Sequence, residues 1–377
     1  MNPQLNKLKI AIVYDRVNKF GGAERVLLVL HEMFPTAPLY TSVYDEKKAS
    51  WAKVFPKIYT SFLQKIPILK NYHELMGWLM PLAFESFNFK DYDLVISVTS
   101  EAAKGIITGT NTLHVCYCLT PTRYLWSGYD EYFKGVTFKG LTKPIVSYLR
   151  WWDKVASQRP DKIIAISTEV QKRIKKYYQR DAEIIFPPVE LIRHPSLITG
   201  KHSYYLYVGR LVKYKKVDLL VATFNELKLP LVIVGVGSEL NKLKFKAKSN
   251  IKFLGQISDQ ELAKVYQNAL GFLMPQEEDF GITSVEAQSF GVPVIAYKKG
   301  GVLDTVIDGK TGIFFNEQNK ASLSSAIAKF DNLSFNRRYL ITNAKNFSKE
   351  NFKRRLQESL VCAVSSWRGR NSTLASI

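Results

Sequence analysis

The sequence predicts an α/β protein made of two similar halves, each a mostly parallel sheet wrapped by helices. Three observations predict it. Short apolar runs recur along the chain, stretches of helical period separate them, and the double proline Pro187-Pro188 interrupts the pattern midway. A chain of 377 residues suits two domains of about 150 to 200 residues each. Residues 10–14 form the first apolar run. A polar loop ending in Gly21-Gly22 follows, then a helical run at 23–33, which together read as strand, glycine hinge and helix. Runs at 94–97, 114–118 and 163–166 continue the sheet. The second half repeats the plan, with strands expected at 204–208, 231–234, 252–254, 271–274 and 294–296 and helices at 217–227, 259–268 and 283–290. Two prolines in series stop a strand and stiffen a connection, so the boundary is expected there. The domains are then 1–187 and 188–347. Residues 348–367 read as a final helix with Phe352, Leu356, Leu360 and Val364 along one side, followed by a frayed tail at 369–377.

Bulk composition narrows the function classes. With 46% hydrophobic and 23% charged residues, the body of the chain is not a disordered one. The net charge of +20 is divided almost evenly between the halves. A nucleic-acid module more often gathers its excess on one helix or stripe, and no helix-turn-helix, zinc-finger or RNA-binding signature is present. An even basic excess suits anionic membrane surfaces and phosphate-bearing substrates. Three cysteines, Cys116, Cys118 and Cys362, make no disulfide framework and no zinc site, so reduced thiols and a cytoplasmic setting are expected. Residues 1–9 hold no apolar segment, so no secretory signal is expected, and the most apolar stretch, 75–84, is too short to span a bilayer. The neighbouring stretch 51–84 interleaves Lys53, Lys57, Lys65 and Lys70 with Phe55, Tyr59, Phe62, Met76, Trp78 and Met80. It reads either as a membrane-interface patch or as a buried helical layer with solvated lysines.

The chemistry is concentrated in the second half. Glu278 and Glu286 bracket Glu-Asp-Phe-Gly-Ile-Thr-Ser-Val-Glu, which runs from a strand end through a glycine turn into a helix, where open α/β sheets bind ligands. Two carboxylates so placed read as the acid and nucleophile of a glycoside hydrolase, as acceptors for sugar hydroxyls, or as a loop acid and a helix acid with no ligand. Gly209, Arg210 and the lysines Lys213, Lys215 and Lys216 leave another strand ahead of a helix, and fixed cations there suit a diphosphate. That clamp favours a nucleotide-sugar over a hydrolase substrate. Gly235-Val236-Gly237 reads as a tight turn or a ligand contact, and Gly21-Gly22-Ala23-Glu24 opens a helix whose free amides suit an anionic or hydroxyl-rich group.

In their order and spacing these motifs, with Gly291-Val292-Pro293-Val294, Gly300-Gly301 and residues 304–312, resemble a family 4 glycosyltransferase of the GT-B fold over nearly the whole chain. Residues 117–126, Tyr-Cys-Leu-Thr-Pro-Thr-Arg-Tyr-Leu-Trp, resemble the bacterial mannosyltransferases that build O-antigen and other surface polysaccharides. The resemblance implies two Rossmann-like domains facing a central cleft, with the acceptor on the first and the nucleotide-sugar on the second. The final helix would cross back to the first. It implies a retaining transfer of a hexose, mannose from GDP-mannose, to a lipid-linked glycan acceptor, with no metal and no further cofactor. In the roles it implies, Arg210 and Lys215 hold the diphosphate, Glu286 the ribose and Glu278 a donor-sugar hydroxyl. Gly209, the amides of Phe280, Gly281, Ile282 and Thr283, and the space left by Gly22 complete the donor site. Leu119 stands where that branch commonly carries a histidine, and His114, five residues earlier, reads as a core residue. Two rival readings remain, a catalytically silent scaffold subunit and a UDP-sugar-dependent transferase.

Overall fold

Strand β1, Ile10–Tyr14, is buried along its whole length, and a strand without a polar face must be covered by helices on both sides. The computed structural model describes all residues except 1–2, 67–76, 130–138, 192–202 and 375–377. They fall into two units, Met1–Pro188 with Phe352–Ile377, and Val189–Asn351.

In the first unit β1 is joined by β2 (Leu39–Thr41), β3 (Ile58–Thr60), β4 (Leu94–Thr99), β5 (Leu113–Cys118), β6 (Lys162–Ala165) and β7 (Glu183–Ile184). All pairings are parallel, in the order β3-β2-β1-β4-β5-β6-β7. The helix Gly22–Met33 follows β1, and Thr168–Tyr178 follows β6 with Ser167 accepting the amide of Val170 as its cap. In the final helix, Lys349–Leu374, the residues Phe352, Leu356, Leu360 and Val364 are all buried. That helix runs on through Gly369, so the expected frayed tail is corrected for 369–374. A single glycine does not stop a helix already propagating.

In the second unit the strands are β8 (Tyr204–Val208), β9 (Leu231–Val234), β10 (Ile251–Gly255), β11 (Ala269–Met274), β12 (Val294–Tyr297) and β13 (Gly312–Phe315), again all parallel. Their order, β10-β9-β8-β11-β12-β13, reverses direction between β8 and β11. Apolar clusters cover both faces of this sheet, one around Phe224, Leu273 and Phe330 and the other around Tyr266, Phe272 and Val294. A doubly wound sheet of this order opens a crevice at the carboxyl ends of the two strands flanking the reversal. The loops leaving β8 and β11 therefore define where a ligand would sit in this unit.

Candidate active site

The loop after β8 carries Gly209, Arg210 and a short turn, Lys213–Lys215. Lys216 then takes a left-handed conformation, φ 55°, and the helix Val217–Leu227 begins. Such a backbone disfavours a side-chain-bearing residue. Here it turns the chain sharply enough to hold Lys215 at the sheet edge. The loop after β11 carries Gln276, Glu278 and the capping Gly281, φ 94°, of the helix Ile282–Ser289.

These two loops meet. Lys215 Nζ donates to Glu278 Oε1, and Gln276 Nε2 donates to the same oxygen at 2.9 Å. Arg210 is exposed, and its Nη2 donates to the hydroxyl of Tyr214 at 2.6 Å. The Tyr214 ring also lies 5.2 Å from Lys215 Nζ, so one aromatic ring braces both cations. Tyr207 is buried beneath, its pKa raised by desolvation and then by the negative charge of Glu278. Tyr214, Tyr207 and Gln276 escaped the sequence reading. Tyr214 lay in plain view between Arg210 and Lys215, but only the pairing of β8 with β11 shows that these residues share a site.

The helix Ile282–Ser289 has no side-chain cap and no acid in its first turn. The amides of Ile282 and Thr283 therefore point out of its positive end, a setting that favours an anion. Buried polar bonds anchor this helix. Ser284 Oγ and Thr305 Oγ1 are 2.8 Å apart, Gln288 Nε2 donates to Thr305 O at 2.9 Å, and Asn343 Nδ2 donates to Gln288 Oε1 at 2.7 Å. Two glycines brace the loop before it. A Cβ on Gly300 would lie 2.4 Å from Glu278 O, and one on Gly301 2.4 Å from the Cα of Phe280.

Several sequence expectations are sharpened or corrected. The ring of Phe280 is buried edge-on against Phe347 at 5.6 Å, which leaves only its backbone to serve a ligand. Glu286 is half-buried one turn into the helix and accepts from Tyr266 at 3.3 Å, while Glu278 bonds Lys215 and Gln276. The two glutamates thus have separate polar partners. Gly235 and Gly237 pack against backbone: a Cβ there would lie 1.9 Å from Gly209 O and 2.3 Å from Leu211 O. Their role is to let β9's turn approach the Arg210 loop. Gly22 is exposed at the start of its helix in the first unit, so it belongs to a different unit from the other predicted residues.

The first unit has its own polar group at the reversal between β1 and β4. Asp15, after β1, accepts from the amides of Ser100, Glu101, Ala102 and Ala103 and from Thr99 Oγ1 at 2.7 to 3.1 Å. Arg16 pairs with Glu101 in a mostly buried contact, and burial raises the pKa of the Glu101 carboxyl. Beside them Asp153 accepts from Lys104 at 2.5 Å, Thr122 at 2.8 Å, Trp126 at 2.7 Å and Tyr178 at 2.8 Å, all at its two oxygens. Burial alone would lower the pKa of Lys104, but Asp153 outweighs it and the net shift is upward. Asp15, Arg16 and Glu101 were not singled out from sequence, although each lies within two residues of the end of an apolar strand. His114 is fully buried with Nε2 2.7 Å from Ser97 Oγ, a core position.

Residues 188–347 match the family model described as glycosyl transferases group 1. This stretch is similar to the group 1 glycosyl transferases. Among curated proteins, an uncharacterized glycosyltransferase of Methanocaldococcus jannaschii is 29% identical over 206 residues, 53% of this chain and 58% of that one. The D-inositol 3-phosphate glycosyltransferase of Corynebacterium aurimucosum is 31% identical over 138 residues, 32% of this chain and 33% of the other. The chain thus spans from a third to a little over half the length of these relatives. Among solved structures, the lipopolysaccharide outer core galactosyltransferase WaaB superposes with a TM-score of 0.66 at 18% identity, covering 94% of this chain and 99% of the other. Anabaena HepE in complex with UDP and glucose superposes with a TM-score of 0.65 at 18% identity, again over 94% and 99%. The matched stretch is therefore part of a GT-B fold, with a Rossmann-like sheet in each unit.

Proposed function

We propose that this chain is a retaining glycosyltransferase that moves mannose from GDP-mannose to a lipid-linked glycan in surface polysaccharide synthesis, working at the cytoplasmic face of a membrane. One observation carries the reading. Within the stretch similar to the group 1 glycosyl transferases, Lys215 after β8 meets the carboxylate of Glu278 after β11 across the sheet's reversal.

In this reading the acceptor hydroxyl attacks the anomeric carbon on the face from which the nucleoside diphosphate leaves. The new C–O bond forms as the bond to the phosphate oxygen breaks, and the hydroxyl proton passes to the departing diphosphate. Arg210 and Lys215 stabilise the negative charge that grows there, the kind of term that is large in a site built to meet it. Lys215 is held by Glu278, so a diphosphate would draw the ammonium away and free the carboxylate to accept from the sugar's hydroxyls. The pair then serves donor recognition at both ends, and no metal is needed to meet the leaving group. The amides of Ile282 and Thr283 take part in holding the donor, with Glu286 at the ribose.

Membrane contact is supported by the helix Lys139–Ala156. Pro144, Tyr148, Trp151 and Val155 repeat along its outer face, all exposed, with Lys143 and Lys154 on one flank. Among the described side chains of this helix the single acid, Asp153, is buried. The stretch 51–84 contributes less than its sequence suggests, because Phe55 and Met80 are core residues. Phe62 and Trp78 remain exposed, and Lys70 and Met76 lie outside the described residues. No helix among the described residues is long and apolar enough to cross a membrane.

A UDP-hexose is the second donor reading, favoured by the solved structure of HepE with UDP-glucose. Incubating the chain with a panel of nucleotide sugars and measuring nucleoside diphosphate release decides between them. GDP-mannose is expected to give the fastest release. Preference for a UDP-sugar would remove mannose from the proposal, and no release with any donor would leave the scaffold reading in its place.

A further inference from the structure

We infer that Phe245 and the lysines around it form a docking point for an anionic bilayer surface on the second unit. This rests on the membrane part of the reading above and not on its transfer chemistry. The short helix Leu240–Lys246 packs inward through Leu243, which is buried. Two residues on, the chain has turned by about 200°, so Phe245 points away from the unit. It is 91% exposed, the most exposed of the large apolar side chains among the described residues. Lys244 and Lys246 flank it in sequence, and Lys242 lies one turn back, alongside it on the helix face. Lys248 and Lys252 follow on the loop and on β10, which is the edge strand of the sheet. All five lysines are exposed. From 240 to 255 there is no acidic residue, and the nearest, Glu239, pairs with Lys242.

An aromatic ring at the pole of a convex helix, ringed by flexible cations, matches a headgroup layer. The ring enters the interface while the ammonium groups stay among the phosphates on their aliphatic stems. Each lysine held near an anionic surface strengthens partition about fivefold. A nucleic acid fits this patch less well. The stretch has no arginine for bidentate phosphate contacts and forms a pole, whereas single strands are held in basic grooves with stacking platforms.

The test is co-flotation of the full chain with phosphatidylcholine vesicles, with and without phosphatidylserine, at low and high salt. The chain is expected to bind only the anionic vesicles. K244Q/K246Q should weaken that binding about 25-fold. F245S should bind at low salt and release at lower salt than the parent, because the salt-insensitive part of the contact is gone. Melting temperature and donor-dependent nucleoside diphosphate release should be unchanged in both variants. Full vesicle binding by K244Q/K246Q would overturn this assignment and leave the helix Lys139–Ala156 as the membrane contact. Failure of the parent to bind any vesicle would overturn both. Tighter binding to single-stranded nucleic acid, lost in K244Q/K246Q, or a dimer lost in F245S, would assign the patch to that partner instead.

Discussion

Arg210 and His114 show how differently a polar side chain acts at the surface and in the core. Arg210 is exposed and bonded only at its tip to Tyr214, so Arg210→Ala is expected to change folding stability by no more than about 0.5 kcal/mol. The same change should lower donor turnover by about 10²–10³-fold, the usual cost of losing a preorganised donor to a developing charge. Steady-state rates beside a thermal melt check both halves, and unchanged turnover would remove Arg210 from the site. His114 has the opposite character. Burial first, then Arg159 and Arg180, holds its pKa down to about 3. An unfolded histidine titrates near 6.5, so between these values the unfolded state binds a proton that the folded state refuses. Stability of the first unit is therefore full above about pH 6.5 and falls with acidification, at about 1.4 kcal/mol per pH unit. Urea midpoints measured from pH 7 to pH 5 should follow that slope. His114→Gln, which removes the titration, should flatten it.

At the scale of the element, Gly235 shows what a turn can demand. Its φ of 136° and the 1.9 Å approach of a Cβ to Gly209 O leave no place for a side chain. Gly235→Ala should therefore push the β9 turn off the Arg210 loop. A stability loss of a few kcal/mol and a weakened donor KM are expected, read by chemical denaturation and kinetics. The sequence shows that glycine but not its reason, because a lone Gly-x-Gly is equally a tight turn or a ligand contact. The same division runs through the site. Apolar runs and helical period are local, so strands such as β1, β8 and β11, the α/β class and the buried side of the last helix could all be read directly. Pairing is not local. That β8 lies beside β11 decides that Lys215 meets Glu278, and nothing in either segment states it. Buried networks such as Ser284, Thr305, Gln288 and Asn343 are hidden for the same reason, since ordinary polar residues acquire their role only from neighbours distant in sequence. For Phe280 the motif marks the backbone amide, and the place of the ring, packed on Phe347 from the end of the domain, is not written in it.

On the scale of the molecule, the chain leaves the first unit at Pro188 and returns to it at Phe352. The second unit is thus one continuous stretch, and the first is completed by the chain's last helix. Phe352 meets the ring of Tyr117 on β5 at 5.7 Å, Lys353 pairs with Glu32 at 2.6 Å, and Ser359 donates to Glu183 on β7 at 2.7 Å. Burying Phe352, Leu356, Leu360 and Val364 contributes about 6–12 kcal/mol gross, at about 1.5–3 kcal/mol per side chain. That is comparable to the whole net stability of an ordinary domain, about 5–15 kcal/mol. A chain ending at Asn351 should therefore keep a folded second unit and lose the first, although every strand of the first sheet is still present. Calorimetry should show the first unit's transition lost or moved far down, and limited proteolysis should cut within residues 1–188 while sparing 189–351. Leu360→Ala in the full chain supplies the graded version, a loss of about 2–5 kcal/mol confined to the first unit's transition. If the truncated chain melts as the full one does, the last helix contributes nothing to the first unit, and the sheet must be stable with its β5 and β7 contacts bare.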